Sequence, residues 1–457
     1  MLTRSQQLAM DAFHQGYSFF LTGKAGTGKS YVTRLIIEDC KKRNVPLMVC
    51  APTGIAAINV GGVTIHSAFR VPTGIIEPDT RCDNHKQTKV IDEARVVLID
   101  EISMCRLDLF EFIARTLQAS KNKKQIILVG DFFQLPPVLT DDEAPVYRQF
   151  YPSIYPFHSP MWKDLEIKTI ELKECVRTTD KKLIKALDNL RVGNPDFEIF
   201  DKIQNQNPDK KAITLCTTNK AAATINQEEM AKLKKNRTYE AEVTGKFADK
   251  DMPTDKDLKL GVGARVIMLA NADSYVNGSL GTITDLGEAT VTVQVDDGAE
   301  VIVQPYKWEQ TEYTLVVEKG KKRIEQQVVG SFTQLPIKAS WAITVHKSQG
   351  QTYERVNIVP ERFFCDGQMY VALSRCKSLK GMRILGKLTQ KGLHTSQEVV
   401  EFMNKHNDTI KSLKAGGKRA GAGRKSKWGV KTVLIRVPEY LQEEIMALVE
   451  KRLAEHD

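Results

Sequence analysis

The sequence predicts an α/β protein: two domains built on buried parallel sheets, with a small β-rich insertion in the second. Three observations carry this. Short, nearly continuous apolar runs at 18–22, 46–51, 96–100 and 125–131 alternate with helical stretches, the pattern of strands buried on both faces. The alternation restarts near Ile213 (AITLCTTN, then a helical stretch) and returns at 355–360 (RVNIVP) and 382–386. Between these returns, 290–304 (TVTVQVDDGAEVIVQ) alternates Val291, Val293 and Val295, turns at Asp297-Gly298, and alternates again at Val301 and Val303. An Asp-Gly turn between period-two runs is a hairpin signal. With the flanking GTITDL and RIEQQVVGSF it predicts a small β-barrel.

Bulk properties agree with two or more domains, because a single core stops growing past roughly 250 to 300 residues and the chain has 457. It is 42% hydrophobic and 27% charged, as expected of an ordinary globular protein. No apolar run approaches the roughly 18 residues of a membrane span, so no membrane partner is expected. The start, MLTRSQQLAMDAF, lacks the basic, apolar, small-residue order of a signal peptide, which points to an intracellular protein, cytoplasmic or nucleoid-associated. The eight cysteines show no CxxC pair or nearby CxxH and are expected to be reduced. A net charge of +10 favours a polyanionic partner, since Lys and Arg along phosphates release counterions.

Beyond 410 the composition changes. Residues 411–431 hold eight Lys or Arg, five Gly and no acid, which reads as a basic flexible linker. Residues 432–457 read as one strand, a proline, and an amphipathic helix, resembling the first half of a ribbon-helix-helix DNA-binding unit.

The chemistry begins with Gly23-Lys24-Ala25-Gly26-Thr27-Gly28-Lys29-Ser30, a GxxxxGK[ST] loop between a strand and a helix. Its N–H groups wrap phosphate oxygens, Lys29 reaches the β and γ phosphates, and Ser30 ligates Mg²⁺. The same loop serves kinases, GTPases and transporters. The apolar strand VVLI ends in Asp100 and Glu101, at the edge where open parallel sheets bind ligands; Asp100 is a second Mg²⁺ ligand and Glu101 orients the attacking water. A further strand ends in GDFFQLPP, leaving two readings of Gln134: a γ-phosphate sensor, or part of a loop stiffened by prolines.

Read together, APTGIAAINVGGVTIHSAF (51–69), LIDEISM (98–104), GDFFQLPPV (130–138), WAITVHKSQG (341–350) and GQMYVALSRCKS (367–378) resemble, in order, the motifs of the Pif and RecD branch of superfamily-one DNA helicases, with the nearer likeness to the Pif type. The resemblance covers about 2–405. It implies a first RecA-like domain at 1–190 with a wedge near 70–92, and a second at 191–410 with an SH3-like barrel near 283–333. It also implies an ATP-dependent helicase moving 5′ to 3′ on single-stranded DNA and opening tailed or forked duplexes in replication, repair or recombination, as a monomer.

Site residues follow from the same resemblance. Gln6 lies at the adenine-reading position, with Gln7 as its neighbour and alternative. Gly350 joins the nucleotide site. Arg177, within ELKECVRTTD, matches the arginine finger, although Val176 and Thr178 replace the aromatic and Gln usual beside it. Arg375, within ALSRC, matches a second arginine reaching the γ-phosphate from the other domain. Pro52, Thr53, Gly54, Thr64, His66, Thr344, His346 and Lys347 fall where the family lines its strand channel. For His66 and His346 an ordinary structural role is the alternative. An ATP-switched protein that clamps or loads single strands without unwinding is the competing function; a small-molecule kinase leaves 341–378 unexplained.

Overall fold

The computed structural model describes residues 2–406 except 73, 81–84, 276, 297, 319–320 and 361–362; the basic linker and the strand-helix tail lie outside the described residues. The chain starts in helix α1 (Arg4–His14), where the Thr3 hydroxyl accepts from the Gln6 N–H and the Gln6 side chain accepts from the Thr3 N–H. This reciprocal cap fixes Gln6 at the head of the helix.

Six strands follow: β1 (Phe19–Gly23), β2 (Leu47–Ala51), β3 (Val63–Thr64), β4 (Val96–Ile99), β5 (Gln125–Val129) and β6 (Lys168–Leu172). They form one parallel sheet in the order β3-β2-β4-β5-β1-β6. The apolar runs read from sequence are β1, β2, β4 and β5, and their side chains are almost wholly buried. β6 mixes Lys168 and Glu171 with buried Thr169, Ile170 and Leu172, so it carries no continuous apolar run.

The second half opens with β7 (Ile213–Cys216) and then makes a long β-rich excursion. Its strands are β8 (Asn236–Glu240), β9 (Glu242–Gly245), β10 (Asp257–Gly261), β11 (Arg265–Met268), β12 (Leu280–Leu286), β13 (Val291–Val295), β14 (Glu300–Val303), β15 (Tyr306–Glu318), β16 (Lys321–Gln334) and β17 (Ile337–Ala339). The chain returns in β18 (Ala342–Thr344), β19 (Val356–Ile358) and β20 (Met382–Ile384), which with β7 build a second parallel sheet ordered β18-β7-β19-β20.

The hairpin read from alternating valines is β13–β14, with Val291 opposite Val303 and Val293 opposite Val301; Asp297 of its turn lies outside the described residues. The rest of the excursion departs from the expected 283–333. It reaches from 236 to 339, and RIEQQVVGSF does not flank the hairpin. That segment lies in β16, which pairs with β15 and β9, while the hairpin belongs to a separate sheet ordered β14-β13-β12-β11-β17. The pair β8–β10 shares one apolar core with that five-stranded sheet. Alternation identifies a strand but is silent about its partner, which explains the misplacement.

The β15–β16 ribbon reaches the first domain. The Tyr313 hydroxyl accepts from the Val49 N–H (2.8 Å) and donates to the Val49 carbonyl (3.3 Å), standing in for a strand partner on β2. Gln326 Nε2 donates to the Gly61 carbonyl (3.3 Å), and Arg70 pairs with Glu312 (2.5 Å). The helix His85–Glu93, within the region expected to form the wedge, packs against both strands of the ribbon.

Candidate nucleotide and nucleic-acid sites

The first sheet divides its C-terminal edge between two tasks. β1, β5 and β4 lie side by side and deliver the phosphate loop, the GDFFQ loop and the acidic pair. β2 and β3 at the far end deliver Pro52-Thr53-Gly54 and Thr64. Ligands of open parallel sheets sit at this edge because helix N-termini and loop N–H groups converge there.

Within the phosphate loop, Gly28 has φ +88° and ends the loop where helix α2 (Lys29–Lys42) starts. Both Gly28 and Gly26 need their missing side chains. A β-carbon on Gly28 would lie 2.5 Å from Gln6 Nε2, and one on Gly26 2.5 Å from Arg177 Cβ. Gln6 is buried and donates to the Thr27 carbonyl (3.0 Å). Gln7 is exposed and donates to Asp11, so of the two glutamines only Gln6 touches the loop. Lys29 Nζ folds over it, donating to the carbonyls of Gly23 (2.8 Å) and Lys24 (3.4 Å), and burial lowers its pKa. Ser30 is exposed at the start of α2, and the Ala25 N–H donates to the Tyr370 hydroxyl of the second domain (2.9 Å).

Asp100 and Glu101 sit at the end of β4. The Glu101 N–H donates to Asp100 Oδ1 (2.9 Å), and Glu101 holds φ +49°, a left-handed conformation costly for a side chain with a β-carbon. Burial, and then the neighbouring Glu101, push Asp100 up to about 7. Burial also raises Glu101, opposed by Lys29 and Arg375. Such a carboxyl fits a dication, which holds it ionised. Among the described residues no cluster of three or more ligating side chains exists. A Mg²⁺ bound by one carboxylate, one hydroxyl and substrate phosphates needs no such cluster.

In the loop after β5, buried Gln134 donates to Asp131 Oδ2 (3.4 Å). Asp131 is held by Arg191 (3.0 Å), which also pairs with Glu171 (3.2 Å) and lies 4.2 Å over the Phe133 ring. Sequence reading passed over Arg191, Asp131 and Tyr370. Arg191 lies in a helix remote in sequence from the loop it braces and carries no local pattern, whereas Tyr370 lies within the GQMYVALSRCKS motif, whose spacing does not say which loop it touches.

The two arginines meet across the cleft. The Val176 and Arg177 N–H groups both donate to the Gly26 carbonyl (2.8 and 3.1 Å), and Arg177 Nη1 donates to the Ser374 carbonyl (3.2 Å), next to Arg375. Arg375 is 1% exposed, and its guanidinium donates to the carbonyls of Val371, Ser348 and Gln351 and to Ser374 Oγ. Burial, then Arg177, bring Arg375 down to about 10; burial lowers Arg177 as well. Two desolvated cations side by side favour an anion between them.

The strand-channel candidates all fall at strand ends. Thr53 caps the short helix Gly54–Val60, accepting from the Ala56 N–H (3.3 Å), and Thr64 caps Ile65–Phe69, accepting from the Ser67 N–H (3.2 Å). Pro52 and Gly54 are half-buried and His66 is exposed. In the second domain, Thr344 ends β18 but is buried, its hydroxyl accepting from the Lys347 N–H (3.3 Å). It shapes the turn that presents half-buried His346 and exposed Lys347 and Gly350. Burial lowers the His346 pKa, and the His346 ring lies 6.3 Å from that of exposed Phe364 at 20°. Asp251 stands over the first-domain loop, its Oδ1 2.7 Å from where a β-carbon on Gly54 would be.

Comparison with known proteins identifies the family. Residues 1–192 match the family model described as PIF1-like helicase. The ATP-dependent DNA helicase Pif1 of Campylobacter jejuni is 30% identical over 432 residues, covering 85% of this chain and 94% of that relative. The chain belongs to the PIF1-like helicase family. Another family member, human ATP-dependent DNA helicase PIF1, is 31% identical over 84% of this chain, which spans 60% of that longer relative. Among solved PIF1-type structures, Bacteroides Pif1 in complex with ADP-AlF4 superposes with a TM-score of 0.81 at 33% identity, covering 89% of this chain and 97% of that one. Unliganded Bacteroides Pif1 gives 0.79, and the same protein bound to single-stranded DNA gives 0.65. The two-domain α/β architecture is therefore the PIF1-type RecA-like fold. Among the described residues no helix is long and apolar enough to cross a membrane.

Proposed function

We propose that this chain is an ATP-dependent DNA helicase that moves 5′ to 3′ along single-stranded DNA and opens tailed or forked duplexes. One observation carries the mechanism: Lys29 and Glu101 of the first domain share a cleft with Arg375 of the second, and Arg177 spans it to the Ser374 carbonyl. ATP phosphates in that cleft would be wrapped by the N–H groups of residues 23–30. Lys29 would exchange the Gly23 and Lys24 carbonyls for phosphate oxygens. Gln6 would face the adenine, and Glu101 would take a proton from the attacking water. The guanidiniums of Arg177 and Arg375 would neutralise charge on the transferring phosphoryl group and draw the domains together. Ser30 and Asp100 would hold Mg²⁺, which when bound screens the charge of the phosphate oxygens.

Strand binding falls to Thr53, Gly54, Thr64 and His66 on one domain and His346 and Lys347 on the other, with hydroxyls, imidazoles and cations suited to phosphate contacts. Loops on two domains that approach and part with each turnover would hand a strand along. Bacteroides Pif1 has been solved bound to single-stranded DNA, and a further Pif1 structure concerns DNA unwinding at forked duplex by two coordinating Pif1 helicases. For this chain we take one copy per strand as the working unit, acting intracellularly where DNA is exposed.

Displacement assays on duplexes with a 5′ or a 3′ tail test the reading. ATP-dependent release from the 5′-tailed substrate alone is the expected result. Saturating binding without a released strand would establish the clamp or loader instead, and release from the 3′ tail alone would reverse the polarity.

A further inference from the structure

The turn presenting the strand-channel residues of the second domain continues into the nucleotide cleft. The Val345 N–H donates to the Cys216 carbonyl (2.9 Å), the Ser348 N–H to the Thr344 carbonyl (3.1 Å) and the Lys347 N–H to Thr344 Oγ1 (3.3 Å), winding 344–348 into one unit. Arg375 Nη1 clasps its far side at the carbonyls of Ser348 (3.3 Å) and Gln351 (3.2 Å). Gln349 lies between those two carbonyls. Its Nε2 donates across the cleft to Glu101 Oε2 (3.3 Å), and its Oε1 is buried without a hydrogen-bond partner among the described residues. A buried amide oxygen left unpaired keeps its desolvation cost without compensation, so such a group calls for a role that offsets it.

We propose that Gln349 is a positioning residue for ATP hydrolysis: its amide nitrogen orients the Glu101 carboxylate, and its amide oxygen accepts a hydrogen from the attacking water. This rests on the hydrolytic role assigned to Glu101 above. The water oxygen bonds to the γ-phosphorus while the bond from that phosphorus to the bridging oxygen breaks. One water proton goes to Glu101, the other hydrogen stays on the product phosphate, and ADP departs. Because His346 and Lys347 ride on the same turn, a strand phosphate that seats them also seats Gln349. Gln349 is then the point at which strand binding accelerates hydrolysis.

Steady-state ATPase rates of the full chain, with and without an oligothymidylate strand, test this in wild type, Gln349→Ala and Gln349→Glu. Gln349→Ala should lose about tenfold or more of the strand-stimulated kcat, with KM for ATP and strand affinity within about threefold. Glu101 faces Lys29, Arg375, Asp100 and Asp131 as well as Gln349. The near-isosteric Gln349→Glu, which keeps the packing but sets a carboxylate in place of the amide that donates to Glu101, should lose strand-stimulated kcat to a similar degree. A wild-type kcat in either variant, or a loss confined to KM, overturns the proposal while leaving the helicase reading standing. A wild-type rate indifferent to the strand sinks the motor reading, and the coupling with it.

Discussion

Lys29 spends its donors on the Gly23 and Lys24 carbonyls, both inside the loop it serves, so replacing it leaves the strand-binding loops untouched. Lys29→Ala should cut ATP turnover by about 100-fold or more with single-strand affinity unchanged, as read by an ATPase assay beside fluorescence anisotropy. Retained turnover would remove this loop from catalysis. Asp100 supplies a pH prediction. Its folded pKa, pushed up to about 7, lies above the ordinary carboxyl value near 3.9. Keeping Asp100 ionised therefore costs stability in full above pH 7, and the cost fades as pH falls from 7 toward 4. Mg²⁺ affinity of the nucleotide-free protein should weaken as pH drops through about 7, because proton and metal compete for the same carboxylate. Asp100→Asn should abolish turnover yet raise the melting temperature of the nucleotide-free protein at pH 8 by about 2–4 °C. A lower melting temperature in that variant would contradict the buried-charge account.

At the scale of elements, the β15–β16 ribbon is the feature with the clearest energetic consequence. Tyr313 is 9% exposed, and its hydroxyl occupies both hydrogen-bonding groups of Val49. Tyr313→Phe keeps the ring but leaves the buried Val49 N–H unpaired, a loss of about 1–3 kcal/mol. Chemical denaturation should register a lower midpoint, and limited proteolysis should cut the ribbon sooner. An unchanged midpoint would mean that the ribbon is held by its neighbours, the Arg70–Glu312 pair and the helix His85–Glu93, without help from Tyr313. The GDFFQ loop shows the same logic in its Arg191–Asp131 brace. Removing one partner of such a buried pair strands the other charge.

For the whole molecule, superposition is better on unliganded Bacteroides Pif1 than on its single-strand complex. Asp251, carried by the insertion, stands beside Gly54, where a strand phosphate is expected. A carboxylate there opposes phosphate entry, so Asp251→Asn should tighten single-strand binding by about two- to threefold at low salt. The gain should shrink at high salt, where exposed charges are screened. Equal affinity of variant and wild type at low salt would show that the insertion does not compete with the strand.

The sequence by itself determined the α/β class, the strands β1, β2, β4 and β5, and the hairpin of β13 and β14, and it singled out Lys29, Ser30, Asp100 and Glu101 as candidates for the nucleotide site. These are local properties: a run of apolar residues, an alternation, or a loop whose glycines and lysine lie within eight positions. The tertiary structure alone decided that Gln6 rather than Gln7 meets the phosphate loop and that Arg177 and Arg375 lie side by side. It also showed that Thr344 shapes its turn from a buried position, and that RIEQQVVGSF belongs to a ribbon gripping the first domain. Each of those depends on which segments meet after hundreds of residues of chain have been folded back. Spacing along a chain records an element's own period; it does not record its partner, because pairing and burial are decided by the competing contacts of the whole fold.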